Sequence, residues 1–141
     1  SRTLAERFRS RGPAALIEAR RIFEASAATY LETIAGFDVV LTPTLATLPW
    51  PLGHLSPVLP TDLLLARTRR AVGYTPIHNL AGCPAMSVPL HRSDEGLPIG
   101  AHFAAAPGAD ALLLRLAYQL EEARPWQDRW APWSYPAMQG A

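Results

Sequence analysis

The chain has 141 residues and a net charge of +1, and its length suits about one domain. This near-neutral balance gives no electrostatic reason to expect a nucleic acid or an anionic membrane as a partner. All 13 basic residues are arginine, which excludes a Schiff-base lysine, a lysine general base and a P-loop lysine. The single cysteine, Cys83, excludes an internal disulfide and predicts a cytoplasmic protein, and no apolar run approaches the length of a membrane span.

The first half of the chain predicts a frayed polar start, a long helix, a short strand and an irregular excursion. Apolar residues recur at near-helical spacing over residues 14–35, and Gly36 ends that helix. Residues 37–42 form a short, mostly apolar run that ends at Pro43. Such a run favours a strand buried on both faces, as in a parallel or mixed sheet. Prolines interrupt residues 44–60, which predicts ordered but irregular chain on the surface.

The second half predicts two more helical segments, a hairpin and a final helix. A helix is expected over residues 63–72, and a short helical turn within residues 74–82. Residues 84–90 and 97–105 read as strands of a hairpin, and residues 111–123 as an amphipathic helix. An aromatic tail that should lie on apolar surface follows, with Trp126, Trp130 and Trp133. This order predicts an α/β fold in which a small mixed β-sheet is flanked by helices.

The residues alone identify no nucleophile that can be defended. There is no Gly-x-Ser-x-Gly elbow, and Ser87 lies in an apolar strand, where a hydroxyl bonded to the backbone is expected. Cys83 follows His78 by five residues and suggests a Cys/His pair, but a small buried cysteine is the alternative that we favour.

The remaining polar residues predict no metal or cofactor site. The four histidines lack chelate spacing, and His102 is expected either to point into a pocket or to lie on the polar face of a strand. The helix over residues 63–72 carries three arginines for which we favour a solvated helix face, with an anion site as the alternative: Arg67, Arg69 and Arg70.

Four phrases, met in order along the chain, resemble a known family. They are DVVLTPT at residues 38–44, NLAGCPAMSVP at 79–89, GLPIG at 96–100 and LLLRLAYQLE at 112–121. In this order and spacing they resemble the C-terminal third of the amidase-signature hydrolases, over roughly residues 16–130. Members of that family hydrolyse amides through an acyl-enzyme, with a Ser, cis-Ser, Lys triad and a Gly/Ser-rich oxyanion loop.

The resemblance implies a fragment that carries none of that triad, because the chain contains no lysine and no serine-rich loop. Residues 1–141 would be the C-terminal fragment of a larger single domain, and Ser1 would not be a natural start. The matching part supplies scaffold and one wall of the acyl pocket. By position, that wall is residues 74–83, with Tyr74, His78 and Cys83 as substrate-binding candidates and no cofactor.

The resemblance implies a small linear amide as the substrate of the full-length enzyme and predicts that the isolated chain is inactive. The alternative is a non-catalytic binding or interaction module derived from an amidase. Cys83 stands where a larger residue is frequent in the family, and His102 where glutamine is frequent. Truncation of an α/β domain exposes apolar surface, so we expect a homo-oligomer that forms through that surface.

Overall fold

A computed structural model describes residues 2–131 and residue 134. Ser1 and the predicted tail residue Trp133 lie outside the described residues. Five helices and three strands follow in chain order within the described part: α1 (Arg2–Arg9), α2 (Gly12–Ile34), β1 (Val40–Pro43), α3 (Thr61–Ala71), α4 (Pro76–Ala81), β2 (Ala85–Arg92), β3 (Pro98–Ala104) and α5 (Asp110–Ala123). The α/β class and the irregular segment at residues 44–60 are therefore confirmed.

The three strands form one sheet in the order β1-β3-β2, and both pairs are antiparallel. The predicted hairpin is confirmed, with Gly96 at a φ of +83° in the turn that joins β2 to β3. The mixed pairing expected for the sheet is absent among the described strands. β1 and β2 do run in the same direction, but β3 lies between them, so no parallel ladder forms.

One face of the sheet carries the hydrophobic core. Val88 of β2 and Phe103 of β3 are buried there against Leu113 of α5, and Trp126 of the predicted aromatic tail packs on the same cluster. Helix α5 lies over β2, so Leu41 at the opposite edge remains 62% exposed. The expectation that this first strand is buried on both faces is therefore wrong, because no described element covers its outer edge.

The N-terminal helices α1 and α2 bury few of their own side chains. The expected frayed start is instead helix α1, which a bidentate ion pair from Arg7 to Asp62 joins to α3 at 2.6 and 3.1 Å. Helix α2 packs on α4, yet Ile34 is its only buried residue among those described, and Leu16 is 73% exposed. No helix in the described part is both long and apolar enough to cross a membrane.

Candidate functional site

The sheet face opposite the core carries a cluster of polar residues. The strand register sets Thr42 of β1 and Ser87 of β2 on either side of His102 in β3. Side chains two residues apart share a face of a strand, so Thr44 and Gly100 lie on the same side. We call Thr42, Thr44, Ser87, Gly100 and His102 the polar face.

Helix α4 contributes a second histidine to this face. The His78 ring stacks on that of His102 with centroids 4.9 Å apart and an angle of 28° between the planes. Both side chains are buried, at 3% and 6% exposure. The Tyr30 hydroxyl of α2 lies 2.9 Å from Nδ1 of His78, and the Thr42 hydroxyl lies 3.4 Å from Nδ1 of His102. Four elements therefore meet at this histidine pair.

Burial disfavours the charged forms of the ionisable side chains in this cluster. It lowers the pKa of both imidazoles, and the neighbouring His102 lowers the pKa of His78 further. Burial also raises the pKa of the Tyr30 phenol, to which nearby Cys83 adds a smaller electrostatic effect, and it raises the pKa of the Cys83 thiol itself. An activated cysteine nucleophile has the opposite shift, so the burial of Cys83 argues against the Cys/His pair that sequence spacing suggested.

The three substrate-binding candidates lie along one short helix in different settings. Tyr74 precedes α4 and is 40% exposed, whereas His78 lies within the helix and is buried. Gly82 ends the helix at a φ of +67°, and Cys83 follows it, half-buried, with its backbone N–H donated to the His78 carbonyl at 2.9 Å. The structure therefore joins His78 to Cys83 through the backbone.

Two hydroxyl groups meet over a glycine at the edge of the polar face. Thr44 Oγ1 and Ser87 Oγ are 2.6 Å apart, so the Ser87 hydroxyl bonds a side chain and not the backbone, contrary to expectation. A Cβ at Gly100 would lie 2.5 Å from Thr44 Oγ1 and 2.7 Å from Ser87 Oγ. Only glycine leaves room for this contact. The pair borders a cavity of about 420 Å³ that is also lined by Ala46 and Pro98.

Sequence reasoning missed the role of Tyr30, Thr42, Thr44 and Gly100 in this site. Tyr30 is separated from His78 by 48 residues, and Thr42 from His102 by 60. Local periodicity carries no signal about such pairs. The alternation of Thr42 and Thr44 within an otherwise apolar run is the one feature that indicates a shared polar face.

Comparison with protein families matches residues 3–114 to the amidase family model. Among curated proteins, the chain is 41% identical over 124 residues to the protein named "Putative amidase AmiC" of Mycobacterium leprae, covering 86% of this chain and 25% of that protein. It is 34% identical over 131 residues to the 6-aminohexanoate-cyclic-dimer hydrolase of a Pseudomonas species, covering 89% of this chain and 26% of that protein.

Solved structures agree with this similarity. A structure of 6-aminohexanoate cyclic dimer hydrolase matches with a TM-score of 0.61 and 29% identity over 80% of this chain and 24% of that one. One subunit of the glutamyl-tRNA(Gln) amidotransferase from Thermotoga maritima matches with a TM-score of 0.68 and 25% identity, covering 90% of this chain and 27% of that one. The chain thus spans only about a quarter of each of these proteins.

Proposed function

The chain belongs to the amidase family, and on that premise we propose that it is the C-terminal part of an amide-hydrolysing enzyme. In this proposal residues 1–141 belong to a larger single domain, for which they supply scaffold and one wall of the substrate pocket. The observation that carries the proposal is the polar face, because α4 is stacked on it through His78 and His102. A polar, preorganised surface on the sheet is the kind of wall that orients a substrate.

Within that wall we assign the substrate site to Tyr74, His78 and Cys83, with the buried His78 as the residue that positions the other two. The buried His78 fixes α4 by its ring stack and by its contact with Tyr30. Tyr74 before the helix and Cys83 after it are then held on a rigid frame, and both are more accessible than His78. The hydroxyl of Tyr74 would bond the polar part of the substrate, and Cys83 would border its acyl part.

The isolated chain is proposed to bind substrate groups without hydrolysing them. It has no lysine to act as the base of the family's triad. A small linear amide is the proposed substrate of the whole enzyme. Because one relative is named a cyclic-dimer hydrolase, a cyclic amide is the competitor to include in any assay.

The protein is proposed to act in the cytoplasm, without a cofactor, and to self-associate when it is studied as this chain. Four large apolar side chains of α2 are exposed and available for such contacts: Leu16, Ile17, Ile22 and Phe23. Light scattering at micromolar concentration should therefore give a mass above 15.3 kDa, whereas a monodisperse monomer would contradict this part of the proposal.

The coding sequence upstream of Ser1 tests the enzyme proposal against the alternative of an amidase-derived binding module. A Gly/Ser-rich loop and a lysine in the same reading frame would support the enzyme. A stop codon followed by a start near Ser1 would support the module, which would then be a separate protein that binds amides without hydrolysing them.

A further inference from the structure

A second pocket lies away from the histidine pair, between the irregular segment at residues 44–60 and helix α3. Its volume is about 510 Å³, and its walls include Trp50 and His54 from the irregular segment and Arg67 and Arg70 from α3. We call it the arginine pocket. Thr47 borders both this pocket and the cavity beside the polar face.

The charge of the arginine pocket is uncompensated within the described part of the chain. Arg67 donates from Nη1 to the His54 carbonyl at 2.7 Å, and neither Arg67 nor Arg70 forms an ion pair with a described carboxylate. From residue 39 to residue 93 the only acidic residue is Asp62. Its carboxylate is already bound by both terminal nitrogens of Arg7.

The remaining walls are apolar and aromatic. The Trp50 ring lies 4.8 Å from the His54 ring, centroid to centroid, and Leu63 of α3 lines the same space. Thr47 adds a hydroxyl oxygen that is buried without a hydrogen-bond partner among the described residues. Two arginines and an indole ring that line the same pocket offer both charge-assisted hydrogen bonds and a flat apolar contact.

We propose that the arginine pocket binds a small carboxylate with an aromatic or acyl body. The carboxylate would accept hydrogen bonds from Arg67 and Arg70, and the apolar body would lie against Trp50 and Leu63. Binding is non-covalent and does not depend on the proposed amidase function. The sequence-based expectation that Arg67 belongs to a solvated helix face is replaced, because Arg67 is half-buried and bonded to the irregular segment.

Titration of the whole chain with phenylacetate, followed by the indole N–H signal of Trp50 in NMR, tests this proposal. The signal is assigned with the W50F variant. Phenylacetamide serves as the neutral ligand of the same shape, and Arg69→Gln as the matched protein control, since Arg69 is on the same helix, exposed, and does not line the pocket. We expect saturable shifts with phenylacetate and roughly tenfold weaker binding in R70Q and in R67Q.

R69Q should bind within about twofold of the unchanged chain, because screened surface charge adds little. Since Arg67 also holds the His54 carbonyl, R70Q decides the result if R67Q alters the irregular segment. The proposal is overturned if phenylacetate causes no saturable shift, if phenylacetamide binds equally well, or if R69Q weakens binding as much as R70Q.

Discussion

The two faces of the three-stranded sheet are built from alternate residues of the same strands and have opposite properties. On one face Val88 and Phe103 are sealed by Leu113 of α5. On the other, His102 meets His78 and the hydroxyl of Thr42. Stability and candidate chemistry are therefore separated by a single step along each strand. The apolar face should tolerate loss of volume poorly, and the polar face should respond to hydrogen bonding and pH.

The largest effect is expected from Phe103→Ala on the apolar face. Removing this buried ring loses its burial energy and leaves a cavity, which should lower the free energy of unfolding by about 3–5 kcal/mol. Urea denaturation measures the change. Leu41→Ala is the control on the same face, and its cost should be far smaller because that side chain is 62% exposed. Equal losses in the two variants would show that the core does not lie where the structure has it.

A smaller loss is expected from Gly100→Ala on the polar face. The new Cβ would lie within 2.7 Å of both the Thr44 and the Ser87 hydroxyl oxygens, so these side chains must move at a cost of about 1–3 kcal/mol. Gly36→Ala is the matched control, because a Cβ there meets nothing within 4 Å.

Gly100→Ala made together with Thr44→Ala and Ser87→Ala should lower the free energy of unfolding much less, since the two crowding hydroxyl oxygens are then gone. Thermal or urea unfolding of the combined variants gives this coupling directly. Strict additivity of the three changes would contradict the hydroxyl contact over Gly100.

Tyr30→Phe should lower the free energy of unfolding by about 1 kcal/mol, because it removes the hydroxyl that lies 2.9 Å from His78 Nδ1. Tyr118→Phe on α5 is the control, since that residue is exposed and its hydroxyl forms no hydrogen bond among the described residues. If both phenylalanine variants unfold at the same urea concentration as the unchanged chain, Tyr30 does not anchor the histidine pair.

The smallest effect is expected from the pH dependence of stability. Burial lowers the pKa of His78 and His102 in the folded chain, so the unfolded chain binds more protons as the pH falls below about 6.5. The free energy of unfolding therefore has its full value above that pH. It decreases as the pH falls from there through the pKa values of the two histidines in the folded chain. His102→Gln should flatten this part of the stability profile, which urea denaturation at a series of pH values measures.

Local features of the fold followed from the sequence, and long-range ones did not. Helix α5 and the β2–β3 hairpin were predictable, because periodicity and a turn glycine lie within the segments themselves. Helix α1 was missed, since its polar composition gives no sign of the ion pair from Arg7 to Asp62. The place of β1 beside β3 was also missed, because a crossover of more than fifty residues leaves the pairing partner unspecified.

The candidate site also combines residues that were predictable from the sequence with contacts that were not. His78 and Cys83 were nominated from the resemblance of a contiguous phrase to a family. The stacking of His78 on His102, and the contact of Tyr30 with His78, depend on how α2 and α4 pack against the sheet. Arg67 was assigned to a solvated face because helix periodicity cannot reveal that the segment at residues 44–60 lies against it.

Amide hydrolysis decides whether this chain is an inactive C-terminal part of an amidase. It is measured on the purified chain of 141 residues and on the same chain extended upstream of Ser1 by its own coding sequence. We expect no turnover of linear or cyclic amides by the first protein and amide turnover by the second. Turnover by the 141-residue chain that Cys83→Ala or Ser87→Ala abolishes would contradict it.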